Sequence, residues 1–320
     1  MNDGGLPYST LIEAVSALAH CTEFGVRFIP RSGDPAFIPY DEVLGRAQSA
    51  AGALQARGLV PGDRVAMILP SSIRFLDAFL GTLLAGAVPA PLPPPLGWGR
   101  MDEYRSRTAA MLNAIDARFL VVETPLAETL GPLLQERTGP TVILDPEDLR
   151  RGVPGIPVDV SPNATALLQF TSATTRTPRA AALSHAGLMH NLEMIDAICR
   201  SFSPTEARRE GVSCLPLYHV MGLVGGMLHG LVHPGTVTFI PPELFLSRPA
   251  IWLQTLSRYR APLSSAPSFS YALCAERIRD EEMAGVDLSA WIAAVNSSEP
   301  IDLNGMQRSV SYTHLRAHET

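Results

Sequence analysis

Nine consecutive residues, Thr171-Ser172-Ala173-Thr174-Thr175-Arg176-Thr177-Pro178-Arg179, carry five hydroxyl side chains and two guanidinium groups. Hydroxyls and loop amides donate hydrogen bonds to phosphate oxygens, and arginine adds a planar, bidentate charge. The composition therefore suits a polyphosphate. It also suits a solvated turn. A Walker loop is excluded, because Gly-x-x-x-x-Gly-Lys-Ser/Thr needs glycines and a lysine that this stretch lacks. No lysine occurs anywhere: all 25 Lys+Arg residues are arginine.

Such a loop works only if its neighbours hold it. The apolar run Ala166-Leu167-Leu168-Gln169-Phe170 reads as a buried strand. Ser184 followed by Leu188, Leu192, Ile195 and Ile198 reads as a capped helix, which places the loop between strand and helix. Upstream, helical patterns at about 41–57, 71–84 and 101–115 alternate with strands at 64–69, 88–92 and 119–122. Downstream, helices at 187–201, 222–231 and 249–259 alternate with strands at 211–215, 236–240 and 261–265. This alternation predicts an α/β fold built from parallel βαβ lobes. The cluster Arg151-Gly152-Val153-Pro154-Gly155-Ile156-Pro157 reads as a connection between lobes. Glycines 222, 225, 226 and 230 are expected to permit close packing or approach to a ligand.

The chain has 320 residues, 46% hydrophobic and 18% charged, with net charge −6. No basic stripe suggests a nucleic-acid partner. The most apolar window, Phe75 to Pro91, is interrupted by Asp77 and Pro89, so no membrane span is expected. Cys21, Cys199, Cys214 and Cys274 are too widely spaced for a zinc or small disulfide framework, and no signal peptide is evident. A cytoplasmic enzyme is the expectation.

The stretch from Leu168 to His185 resembles the ATP-phosphate loop of the adenylate-forming superfamily, T-S-G-S-T-x-T-P-x-G-V followed by S-H. Three further blocks resemble the same superfamily in the same order. Cys214 to Leu223 resembles LPLYHDMGL, Ala266 to Cys274 resembles APxFxYxLC, and Asn296-Ser297-Ser298-Glu299-Pro300 resembles the NGAEP block that lines adenine. Arg176, the run Pro89 to Pro95, Gly99-Arg100, Tyr104 to Thr108 and the Tyr218-His219 pair resemble the fatty acyl-AMP ligase branch.

The resemblance implies ATP and Mg2+ as cofactors, a fatty acid as substrate and an acyl carrier protein as acceptor, in lipid or polyketide synthesis. The acid's carboxylate attacks the α-phosphorus of ATP to give acyl-AMP and pyrophosphate. Thr171, Ser172, Thr174, Thr175, Thr177 and Arg179 would position the phosphates, Arg179 standing where many relatives carry lysine. Ser297, Ser298, Glu299 and Pro300 would border adenine. Tyr218, His219, Met221 and Gly222 would border the acyl pocket. Read as residues alone, His219 is first a packed, hydrogen-bonded histidine, and Met221, Leu223, Val224, Met227 and Leu228 line either a core or a tunnel. Phe269 and Tyr271 share that ambiguity. This sequence departs from the pattern at Ala173, Ala180, Val220 and Ser297-Ser298, which puts ATP affinity in question.

The implied domain is the large N-terminal AMP-binding domain, incomplete, at 1–308, with lobes of roughly 1–155 and 156–308. Ser309 to Thr320 resembles translated sequencing-adapter sequence and is read as a non-native tail. The implied catalytic lysine and magnesium-side glutamate are absent, so no catalytic residue is assigned and the chain alone is expected to be inactive. The rival readings are a fatty acyl-CoA synthetase, a non-catalytic nucleotide- or acyl-binding remnant, and a loading domain of a larger synthetase.

Overall fold

A computed structural model describes residues 6–95, 101–135, 141–171, 178–202, 209–296, 299–300 and 307–309. Its strands in chain order are β1 (Gly25–Phe28), β2 (Phe37–Pro39), β3 (Arg64–Ile68), β4 (Val88–Pro91), β5 (Phe119–Val122), β6 (Val142–Leu144), β7 (Thr165–Phe170), β8 (Ala180–Ser184), β9 (Glu210–Ser213), β10 (Thr236–Phe239), β11 (Leu263–Ala266) and β12 (Ala293–Asn296). The expected α/β fold with parallel sheets is what forms. One sheet has the order β4-β3-β5-β6 and is parallel throughout. The other has the order β12-β11-β9-β10-β1-β2 and is parallel except at β1/β2. No helix among the described residues is long and apolar enough to cross a membrane.

The chain separates into two compact units that interleave in sequence. The first comprises 1–22, 40–193 and 217–220; the second comprises 23–39, 194–216 and 221–320. This differs from the expected division near residue 155. The Pro/Gly run at 151–157 is no linker, because it lies along the helix Tyr40–Ala56 inside the first unit. Gly155 N–H donates to Gln48 C=O at 2.8 Å and Gln55 Nε2 to Ile156 C=O at 3.3 Å. A Cβ at Gly152 would strike the Ser49 carbonyl, so these glycines serve backbone contact with a helix.

In the first unit, β5 and residues Val65 to Ile68 of β3 are buried, as strands covered on both faces must be. The helix Ile73–Leu84 is apolar almost all round and buried along most of its length. Its buried charge, Asp77, is 2% exposed and takes a two-pronged hydrogen bond from Arg46, Nε–Oδ1 2.9 Å and Nη2–Oδ2 2.8 Å. Leu168 and Phe170 of β7 pack on the core formed by Ile68, Leu92, Met111, Leu112 and Val122.

In the second unit the core centres on Trp252, with Phe245, Tyr271 and Trp291 edge-on around it. Trp252 Nε1 donates to Ser264 Oγ at 2.9 Å, and Ser264 Oγ donates to Val212 C=O at 2.6 Å. These bonds satisfy the buried polar atoms and hold β9 and β11 in place. The helix expected at 222–231 is present, but Met221–Leu228 is π-helical and only His229–Val232 is α-helical.

Candidate functional site

The hydroxyl-rich loop does not lead into a helix. It crosses the tip of an antiparallel hairpin, β7 to β8, paired from Phe170↔Ala180 to Thr165↔Ser184. Ala180-Ala181-Ala182 carries no strand signature, since alanine is depleted in strands. The open edge of β7 imposes the extended form. Thr171 N–H meets the Arg179 carbonyl at 3.4 Å across the neck, and both residues are exposed. Ser172, Thr174, Thr175 and Thr177 lie outside the described residues. Ser184 does cap the following helix, His185–Phe202: its Oγ accepts from Gly187 N–H at 3.1 Å.

Two side chains that motif reading passed over hold this half of the site. Gln169, 8% exposed on β7, donates from Nε2 to the Tyr218 carbonyl at 3.3 Å. Ser71 Oγ accepts from Leu217 N–H at 3.0 Å. Together they pin the segment 217–220 within the first unit. The only sequence signal for Gln169 was a polar residue inside an apolar strand. His219 is open to solvent on one side, yet the protein packed against its other side lowers its pKa below the ordinary histidine value. Tyr218 is half-buried, and Val220 is 41% exposed.

In the second unit, Met221 and Gly222 open the π-helical turn. Gly222 is buried, and a Cβ there would strike the Pro216 carbonyl. The adenine-like block follows β12. Ser297 and Ser298 lie outside the described residues; Glu299 and Pro300 are exposed. Glu299 Oε1 accepts from Phe269 N–H at 2.6 Å, near the positive N-terminal end of the helix Ser268–Arg277. Asn296 Nδ2 donates to Ser268 Oγ at 2.9 Å, and Tyr271 Oη donates to the Val295 carbonyl at 3.0 Å. Tyr271 is thus core, buried deeply enough to push its hydroxyl pKa well up, whereas Phe269 is 49% exposed.

The same unit carries a cavity of about 360 Å³ that opens to solvent. Its walls include Val212, Val237 and Leu263 from the sheet and Gly225 and Gly226 from the π-helical segment. Leu223, Val224, Met227 and Leu228 are buried core instead, and neither Met221 nor Gly222 is among the lining residues. The face open to the cavity is the one where glycine replaces side chains. Nothing lies within 4 Å of a Cβ built at Gly225. Among the described residues no group of three or more His, Cys, Asp or Glu is placed to hold a metal ion.

Residues 23–313 match the family pattern described as AMP-binding enzyme. The chain belongs to the AMP-binding enzyme family. It is 32% identical over 276 residues to 4-hydroxyphenylalkanoate adenylyltransferase of Mycobacterium marinum, covering 84% of this chain and 43% of that protein. It is 31% identical over 287 residues to medium-chain-fatty-acid–[acyl-carrier-protein] ligase TtuA of Teredinibacter turnerae, covering 77% and 44%. Among solved structures, one from a study of fatty acyl-adenylate ligases of E. coli and L. pneumophila superposes with a TM-score of 0.88 at 28% identity. That match covers 98% of this chain and 56% of that one. The chain therefore spans about half the length of the AMP-binding relatives it matches.

Proposed function

We propose that this chain carries the phosphate loop, adenine block and acyl-chain cavity of an enzyme that converts a fatty acid and ATP to acyl-AMP for transfer to an acyl carrier protein. The hairpin is the observation that carries the reading. It joins the two ends of the hydroxyl-rich loop to a two-stranded base, with Thr171 and Arg179 exposed at its neck. Loop hydroxyls and amides, with Arg179, would neutralise the phosphates as the acid's carboxylate oxygen bonds to the α-phosphorus and pyrophosphate leaves. Thr171, Ser172, Thr174, Thr175, Thr177 and Arg179 take that role. Ser297, Ser298, Glu299 and Pro300 take the adenine. The Glu299 carboxylate is engaged by the Phe269 amide. Tyr218, His219, Met221 and Gly222 border the acid's reacting end.

Similarity to a protein named as an acyl-carrier-protein ligase supports the acceptor. ATP and a carrier protein are cytoplasmic reagents, so the reading puts the enzyme there. Magnesium would come with ATP. The described residues do not assemble a metal site, and the step above is written through protein groups alone. With no lysine in the chain, we expect nucleotide binding without useful turnover.

The test is ATP titration by calorimetry on this chain. A charge-assisted hydrogen bond contributes about 1.5–3 kcal/mol, so Arg179→Ala should weaken binding roughly tenfold or more. Equal affinity in both proteins refutes the phosphate role, and acyl-AMP formed above background refutes the expected inactivity.

A further inference from the structure

The cavity of the second unit runs along its sheet, and its far end deepens the acyl-chain reading, on which the following rests. Parallel strands give the cavity two ends. Ser213 and Ser265 line it towards the carboxyl ends of β9 and β11, where the blocks Cys214 to Leu223 and Ala266 to Cys274 begin. Ligands of parallel sheets react outside the carboxyl ends of the strands. Glu210, Thr236 and Ala293 line the cavity at the amino ends of β9, β10 and β12, and Arg209, which precedes β9, completes that end. Ser213 is four residues beyond Arg209, about 13 Å along the strand direction at a rise of roughly 3.3 Å per residue. A chain whose carboxylate reacts at the carboxyl ends therefore points its other end towards Arg209.

The other charges of the lining are matched. Arg200 holds Asp196, and Arg27 holds Glu210 at 3.0 Å. Arg209 donates from Nη1 to the Pro234 carbonyl at 3.3 Å, and no carboxylate among the described residues pairs with it. Its backbone is fixed: the Arg209 carbonyl accepts Thr236 N–H at 2.6 Å, and a Cβ at Gly235 would strike it. The residue is exposed, so this end of the cavity meets water. Its charge is felt further in. Burial above all lowers the His229 pKa to about 4, and the positive charges of His233 and Arg209 add to the lowering. Glu23 lies with Arg209 and Arg258 in an adjoining recess rather than in the cavity, and Arg258 there is paired with Asp34. We propose that this cavity selects dicarboxylic acids, one carboxylate presented for adenylation and the other received by Arg209 at the far end. The planar guanidinium fork matches a carboxylate with two parallel hydrogen bonds. Because this end is open to water, the second carboxylate keeps part of its hydration, and the desolvation that penalises a buried ion pair is small.

Calorimetry on this chain tests the idea with a straight-chain monocarboxylic acid, the dicarboxylic acid of the same length and that diacid's monomethyl ester, which keeps the polar atoms and removes the charge. The set is run over a ladder of chain lengths. At the lengths that reach Arg209 the diacid should bind about fivefold tighter than the other two, as a well-aligned, solvent-exposed ion pair allows. Added salt should shrink that preference. Arg209→Gln should erase it; Arg209→Lys, which keeps the charge, should retain part of it and serves if the glutamine variant does not fold. Gly225→Leu, which projects into open cavity, should abolish all binding. A diacid bound no tighter than the monoacid at any length, with binding still lost in Gly225→Leu, overturns the selection and leaves the acyl cavity standing. An ester that binds as tightly as the diacid, or a preference that survives Arg209→Gln, overturns it as well. Absence of binding, or binding indifferent to Gly225→Leu, removes the acyl-cavity reading and this inference with it.

Discussion

Acid sensitivity of this protein should trace in large part to His185. The ring is 2% exposed, and its Nδ1 accepts the Leu11 N–H at 3.2 Å. Accepting there requires a neutral imidazole, since a protonated Nδ1 would face another donor. Burial accordingly lowers its pKa from 6.5 to about 4. Between those values the unfolded chain holds the proton and the folded chain does not. The stabilising contribution is therefore complete above pH 6.5, falls as pH falls, and is gone below about 4. One proton's difference is about 1.4 kcal/mol per pH unit, so acidifying from pH 7 to pH 5 should cost about 2 kcal/mol through this group alone. His185→Asn keeps an acceptor for Leu11 but cannot titrate. Urea unfolding of both proteins at the two pH values measures the effect. His229, also lowered to about 4, contributes equally to both proteins and cancels. The wild type should lose about 2 kcal/mol more than the variant. Equal losses would show that His185 is protonated in the fold or already neutral in the unfolded chain, and the reasoning would fail.

Arg46→Met should cost about 3–5 kcal/mol at neutral pH, because it strands the Asp77 carboxylate in the core. Burial already raises the Asp77 pKa against the pull of Arg46, so the folded variant will take up a proton as pH falls. The deficit, followed by denaturant titration, should shrink towards acid; a deficit that grows there contradicts the assignment. Gln169→Leu removes the bond to Tyr218 together with a buried Oε1 that has no partner, so the two effects should nearly cancel in stability, to within about 1 kcal/mol. Amide exchange across 217–220 should nevertheless speed up, and unchanged exchange would remove Gln169 as the anchor of that segment.

Periodicity carried most of the parallel scaffold. The run Phe119 to Val122 and the helix of Phe75, Phe79, Leu80 and Leu83 announce their burial in their own composition, and both form where expected. Elements set by pairing were not legible. β8 is a run of alanines, and β12 is Ala-Ala-Val-Asn, an edge strand extended because β11 lies beside it. The glycines at 152 and 155 resemble a linker, but their meaning depends on the helix they touch.

For the site, the sequence by itself determined the chemistry on offer: a loop of hydroxyls and arginines, a tyrosine-histidine pair, and a resemblance to a family in which the comparisons place the chain. These are local facts, carried by residue type and spacing. Tertiary structure decided which groups meet. Asp196 and the pair His229 and His233 are more than 30 residues apart and share a cavity only because two helices flank one sheet. Gln169 reaches Tyr218 across 49 residues of sequence. Such contacts cannot be read from periodicity, which reports the face a residue prefers and not the partner waiting there.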